Sequence, residues 1–198
     1  MTPGQRFARL VTTVVVRVPF AWRVFRRPLT RSFDGLAPTW EERLGEERLL
    51  PMIAALDALP QAPRRALDVG TGTGRVARVL ADRWPEVGVV GVDVSPRMID
   101  EARRLDGRVR YDVADSVAPP YADGEFDLLT LSNMIPFFDE VARVTASGGH
   151  VAVAFSMGDR TPIYVPLARV RSELERRGFT HVADFAAGAG TALLARRA

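Results

Sequence analysis

The 198-residue chain contains no cysteine. Disulfides, thiolate nucleophiles and Cys-built zinc or iron–sulfur centres are thereby excluded, and a reducing, cytoplasmic setting is expected. Lysine is absent as well, so all 27 cations are arginines. Histidine occurs only at positions 150 and 181. Both fall at the starts of predicted strands, at the end of a sheet opposite the one that opens on a ligand crevice, so no catalytic histidine is expected. No apolar run approaches the roughly 20 residues that span a bilayer. The longest near the start, Leu10 to Val16, is cut by Arg17, which also disqualifies it as a secretory leader. Acidic residues are missing before Asp34, whereas Arg6, Arg9, Arg17, Arg23, Arg26, Arg27 and Arg31 all precede it. Setting those seven aside leaves 20 cations against 24 anions, so the formal charge of +3 belongs to the N-terminal segment. The basicity is local and is not the footprint of a nucleic-acid-binding surface.

What is present describes an ordinary globular domain. Hydrophobic residues make up 47% and charged residues 26%, enough for a single core without staples. Within "RFARLVTTVVVRVPFAWRVFRRPL", the residues Phe7, Leu10, Val11, Val14, Val18, Ala21, Trp22 and Phe25 share one side at 100° per residue, with arginines opposite. Pro19 is expected to kink or divide this helix. Two readings stay open: a peripheral membrane anchor through residues 6–31, or a cap packed on the domain body.

From residue 66 onward, short β-branched runs alternate with helical patterns. The strand candidates are 66–70, 88–94, 109–115, 126–133 and 150–156. Apolar strands separated by helices predict an α/β, doubly wound, mostly parallel sheet with helices on both faces. After a helix ending at Gly178, the segments "FTHVADFAA" and "GTALLARR" predict an antiparallel hairpin at the sheet edge.

Glycines alternate at 70, 72 and 74 in "LDVGTGTGR", between an apolar strand and a helix. Such a loop lets a ligand approach the backbone closely. A dinucleotide fingerprint, G-x-G-x-x-G, needs its third glycine where Arg75 stands, and Asp68 puts a carboxylate beside the loop. That charge disfavours pyrophosphate and favours a cationic ligand group. Asp93, about 20 residues past the loop, is placed to accept hydrogen bonds from ribose hydroxyls, a feature that nicotinamide enzymes share.

"LDVGTGTG" resembles the first motif of the class I S-adenosylmethionine-dependent methyltransferases, and further stretches resemble that family in order: "SPRMIDEARR", "DVADSVAPPYADGEFDLL" and "VARVTASGGHVAVAF". "SFDGLAPTWEERL" is similar to the helix that precedes the core in quinone and related small-molecule methyltransferases, with Glu41 replacing the usual Asp. The resemblance implies S-adenosylmethionine as cofactor, a Rossmann-like fold, and cofactor contacts from Asp68, Gly70, Thr71, Gly72, Gly74, Asp93, Val94, Met98, Ala114, Asp115, Ser116 and Asn133. In that family Met98 would touch the adenine ring and Asp115 its amino group.

Methyl transfer is an in-line displacement that needs positioning and exclusion of water. A general base is required only if the acceptor must first lose a proton, and no catalytic residue is assigned. The segment "SNMIPFFDE" suggests an apolar substrate wall of Met134, Pro136, Phe137 and Phe138. Trp40 and Tyr164 are further candidates for the acceptor pocket. The expected organisation is a basic amphipathic cap at 1–45 and a methyltransferase domain at 46–198. It would act on a small, lipophilic acceptor with no nucleic-acid partner and no metal. The alternatives are a catalytically silent cofactor-binding module and a nicotinamide-dependent oxidoreductase.

Overall fold

The computed structural model describes residues 1–198. Seven strands form one sheet in the order β3-β2-β1-β4-β5-β7-β6: β1 Arg65–Val69, β2 Gly88–Asp93, β3 Arg110–Val113, β4 Phe126–Ser132, β5 Thr145–Phe155, β6 Phe179–Ala187 and β7 Gly190–Arg197. The first five run parallel, and β7 is antiparallel to both β5 and β6. The strand order reverses between β1 and β4, so the crevice at their C-terminal ends is the natural ligand site.

Both faces are covered, as continuous apolar strands require. On one face α3 (Leu50–Asp57), α4 (Arg75–Arg83) and α5 (Pro96–Leu105) bury Met52, Leu80 and Ile99 against Ala66, Leu128 and Leu194. On the other, α6 (Phe138–Val144) and α7 (Leu167–Glu175) bury Val141, Val170 and Leu174 against Leu67, Leu129 and Val153. The predicted hairpin forms through a turn at Gly188 (φ +57°). One detail differs from the sequence reading. Gly148 and Gly149, which precede the strand candidate 150–156, lie inside β5, whose pairing with β4 shifts between Phe126 and Leu128. Gly149 is required there because a Cβ would stand 3.0 Å from the Asp127 carbonyl.

The basic N-terminal segment divides at Val18–Ala21 into α1 (Pro3–Arg17) and α2 (Trp22–Leu36), because Pro19 has no N–H to continue the ladder. The pair lies across the crevice and forms a third, smaller core. Ala8, Val11, Val15, Trp22 and Leu29 pack there with Ile135, Phe137 and Ile163 from the body. The cap reading therefore holds for Val11 and Trp22. Leu10 and Val18, expected on the same apolar side, are instead exposed at 57% and 53%. No helix is long and apolar enough to cross a membrane.

Candidate functional site

The site starts from a buried carboxylate. Asp68 stands in β1 directly across from Thr130 of β4. The Thr130 hydroxyl donates to one of its oxygens (2.8 Å), and Thr71, after the strand, donates to the other (2.6 Å). Burial nevertheless dominates and pushes its pKa up to about 6. Asp93 closes β2 in the same way. Its two oxygens accept from the Gly72 amide (2.9 Å) and the Ser95 amide (2.8 Å), and burial again raises its pKa. A carboxylate has about four acceptor positions, so each of these groups keeps capacity for a ligand.

The glycine loop between them has four of its donors engaged within the fold. The Gly70 and Thr71 amides both bond the Val92 carbonyl, Gly72 bonds Asp93, and Gly74 bonds the Thr71 carbonyl. An incoming pyrophosphate would find these four N–H groups already engaged and the carboxylates of Asp68 and Asp93 facing it. Arg75, which replaces the dinucleotide glycine, is held on the Leu44 and Gly45 carbonyls. The donor set therefore suits a ligand with hydroxyl and cationic groups, and it disfavours nicotinamide dinucleotides. Gly72 has φ +54° and borders open space, with Trp40 Nε1 as the nearest atom to a built Cβ, at 3.6 Å. Gly74 serves packing instead, because a Cβ would lie 2.8 Å from the Tyr111 ring.

A cavity of about 860 Å³ opens above this loop. Asp68, Gly70, Thr71, Gly72, Asp93, Val94, Met98, Ala114, Ser116 and Asn133 all line it, as do Trp40 and Met134. Thr73, Ser132 and Ser156 also line it, and none was singled out from sequence. The roof comes from Trp22, Leu29, Phe33 and Leu36, and the far wall from Ile135, Met157 and Ile163. The roof residues were missed because the apolar period of α1 and α2 shows that a face is buried without showing what it covers. Asn133 adopts φ +52°. Its side chain accepts from the Ser156 amide (2.9 Å) and donates to the Ser156 hydroxyl (3.1 Å), which ties the ends of β4 and β5 together at the cavity edge.

Six expected site residues stand elsewhere. Gly74 packs on Tyr111, as described. Asp115 does not line the cavity: Trp22 Nε1 and Arg26 Nη1 donate to its carboxylate, each at 2.9 Å. Pro136 is buried away from the cavity. Phe137 meets the edge of Trp22, with ring centroids 5.6 Å apart, and Phe138 enters the main core. Tyr164 packs edge-on against Phe155 at 5.0 Å and lies beneath the Arg9 guanidinium. For Asp115, Phe137 and Tyr164 an aromatic neighbour or a long-range cation captures the side chain, and neither is visible in local sequence. Neither histidine lines the cavity.

Two more polar bridges join the N-terminal segment to the loops. The Ser95 hydroxyl donates to Asp34 (2.5 Å). Glu41 accepts from the Thr73 hydroxyl and from Arg78 (3.1 Å). Glu41, which departs from the usual Asp, thus clamps the preceding helix segment onto the glycine loop.

Residues 66–149 match a family described as a methyltransferase domain. Demethylmenaquinone methyltransferase of Deinococcus radiodurans is 43% identical over 137 residues, covering 61% of this chain and 57% of that protein. Malonyl-[acyl-carrier protein] O-methyltransferase of Geobacter sulfurreducens is 33% identical over 171 residues, covering 70% of this chain and 63% of that protein. The chain spans about half the length of the curated relatives it matches. A solved S-adenosylmethionine-dependent methyltransferase from Aquifex aeolicus shares the fold, with a TM-score of 0.66 at 18% identity over 85% of this chain and 98% of that one. With the sheet order, the glycine loop and the Asp68–Asp93 pair, these likenesses lead to one conclusion: the chain carries a class I S-adenosylmethionine-dependent methyltransferase domain.

Proposed function

We propose that the chain transfers a methyl group from S-adenosylmethionine to a small, lipophilic acceptor bound under the N-terminal roof. The observation that carries this reading is the continuity of the cavity, from Asp93 and Gly72 at one end to Met134, Ile135 and Ile163 at the other. S-adenosylmethionine would supply an electrophilic methyl group on a sulfonium centre. The remaining acceptor positions of Asp93 suit a ribose diol, and Val94, Met98 and Ala114 form an apolar slot beside it. Asp68, ionised above about pH 6, suits the cationic end of the same molecule. The roof residues Leu29, Phe33 and Leu36 keep water from the acceptor, and close confinement of two reactants is the main lever for an in-line displacement.

Two relatives are named for demethylmenaquinone and for malonyl-[acyl-carrier protein], which supports a small acceptor group. Calorimetry on the full chain should show S-adenosylhomocysteine binding. The Asp93→Ala variant should bind about 10–100-fold more weakly, the loss of charged hydrogen bonds. Labelled methyl groups from the cofactor should then appear in a solvent-extractable product of a lipid-soluble metabolite extract. A folded chain that binds neither the cofactor nor its demethylated product would overturn the reading.

A further inference from the structure

We propose that the outward face of the roof, opposite the buried one, docks on an anionic lipid bilayer. The face that the sequence offered as a membrane contact is consumed by packing, since Val11, Val15, Trp22 and Leu29 are buried. The opposite side of α2 carries Arg23, Val24, Arg27 and Arg31, all exposed, and Phe20 stands just before it. Phe20 is 70% exposed and Val24 69%, the highest exposures among the large apolar side chains. Val18 on the hinge and Leu10 on α1 extend the apolar row, and Arg6 and Arg17 flank them on α1.

Charge complementarity identifies the partner. Arg6, Arg17, Arg23, Arg27 and Arg31 form no ion pair, and no acidic residue occurs before Asp34. By contrast, most arginines of the body are paired with carboxylates, among them Arg65, Arg108, Arg143 and Arg177. A row of unpaired arginines interleaved with projecting Phe and Val side chains matches an interface that is negative at its surface and apolar just beneath it. A nucleic acid would satisfy the arginines but would leave Phe20 and Val24 without a role. Because the same two helices roof the cavity, docking would set the acceptor end of the cavity against the source of a lipid-soluble acceptor. The inference does not depend on cofactor chemistry, since lipid binding is read without cofactor.

The full chain should sediment with vesicles of phosphatidylcholine mixed with phosphatidylglycerol and stay in solution with phosphatidylcholine alone. Substituting Arg17, Arg23 and Arg27 by glutamine should weaken the partition roughly fivefold per residue, and added salt should do the same. The double variant Phe20→Glu, Val24→Glu should abolish sedimentation with thermal unfolding unchanged, because these side chains are solvent-exposed. Several outcomes overturn the proposal. They are equal binding to both vesicle types, no binding to either, a dimer in solution that Phe20→Glu dissociates, or tight binding to duplex DNA that ignores the Phe20 and Val24 substitutions.

Discussion

The body and the roof are held by different forces. In the body, Leu67, Leu129, Phe126 and Phe155 are fully buried on a sheet whose backbone groups are paired strand to strand. The roof packs a smaller apolar strip on Ile135, Phe137 and Ile163, and polar bridges beside the site add to its hold: Trp22 and Arg26 to Asp115, Asp34 to Ser95, and Glu41 to Thr73 and Arg78. Apart from the contact with Arg78 on α4, those bridges end on the loops that follow β1, β2 and β3, the same loops that build the cofactor end of the cavity. The body therefore derives its stability from area removed from water, whereas the seating of the roof combines a smaller apolar strip with a few directional contacts beside the site.

The largest effect that would test this contrast is Leu129→Ala. Cavity formation in the body should cost about 2–5 kcal/mol and shift the urea midpoint of the whole chain. If only the region around the cavity loosened, body and roof would not differ as described.

Next in size is the pH dependence of Asp68. Its folded pKa, about 6, lies above the ordinary 3.8, so the native state binds the proton more tightly than the unfolded one. The stability associated with Asp68 is fully present below pH 3.8 and is lost as pH rises to about 6, by up to about 3 kcal/mol. Asp68→Asn should remove that slope. Urea titrations of both proteins on either side of this window test it, and parallel pH profiles would refute the assignment.

The smallest effect sharpens the comparison most. Trp22→Phe keeps a ring against Phe137 and deletes the hydrogen bond to Asp115, at a cost of about 1–2 kcal/mol. Amide exchange over residues 3–36 should accelerate about tenfold while the strands stay protected. Equal acceleration in β1 and β4 would mean that the two regions open as one.

The body was largely legible because its signals are local. Alternating strand and helix periods, three glycines after an apolar strand and a glycine-linked pair of strands each predict structure within a few residues of themselves. The pieces around Asp93 and Met98 followed in order. What failed is long-range. Nothing near Asp115 in the sequence reveals an indole 93 residues earlier, and nothing near Tyr164 reveals Arg9. The wall expected from Pro136 and Phe137 was displaced because Trp22 claims Phe137, leaving Met134 and Ile135 to face the cavity. The helical period found the apolar side of the roof, yet it put Leu10 and Val18 on the wrong side of the water line. The buried stripe of α1 runs through Ala8, Val11, Thr12 and Val15, which turns Leu10 outward, and the break at Pro19 leaves Val18 in the exposed hinge.

The Trp22–Arg26–Asp115 contact also creates a competition. An amino group seeking Asp115 must displace an indole and a guanidinium that are tethered to the same chain and therefore present at high effective concentration. Any guest that wins that carboxylate does so by evicting Trp22, so occupancy at the nucleoside end and the freedom of α2 would rise together, and a tight grip at one would be felt as slack in the other.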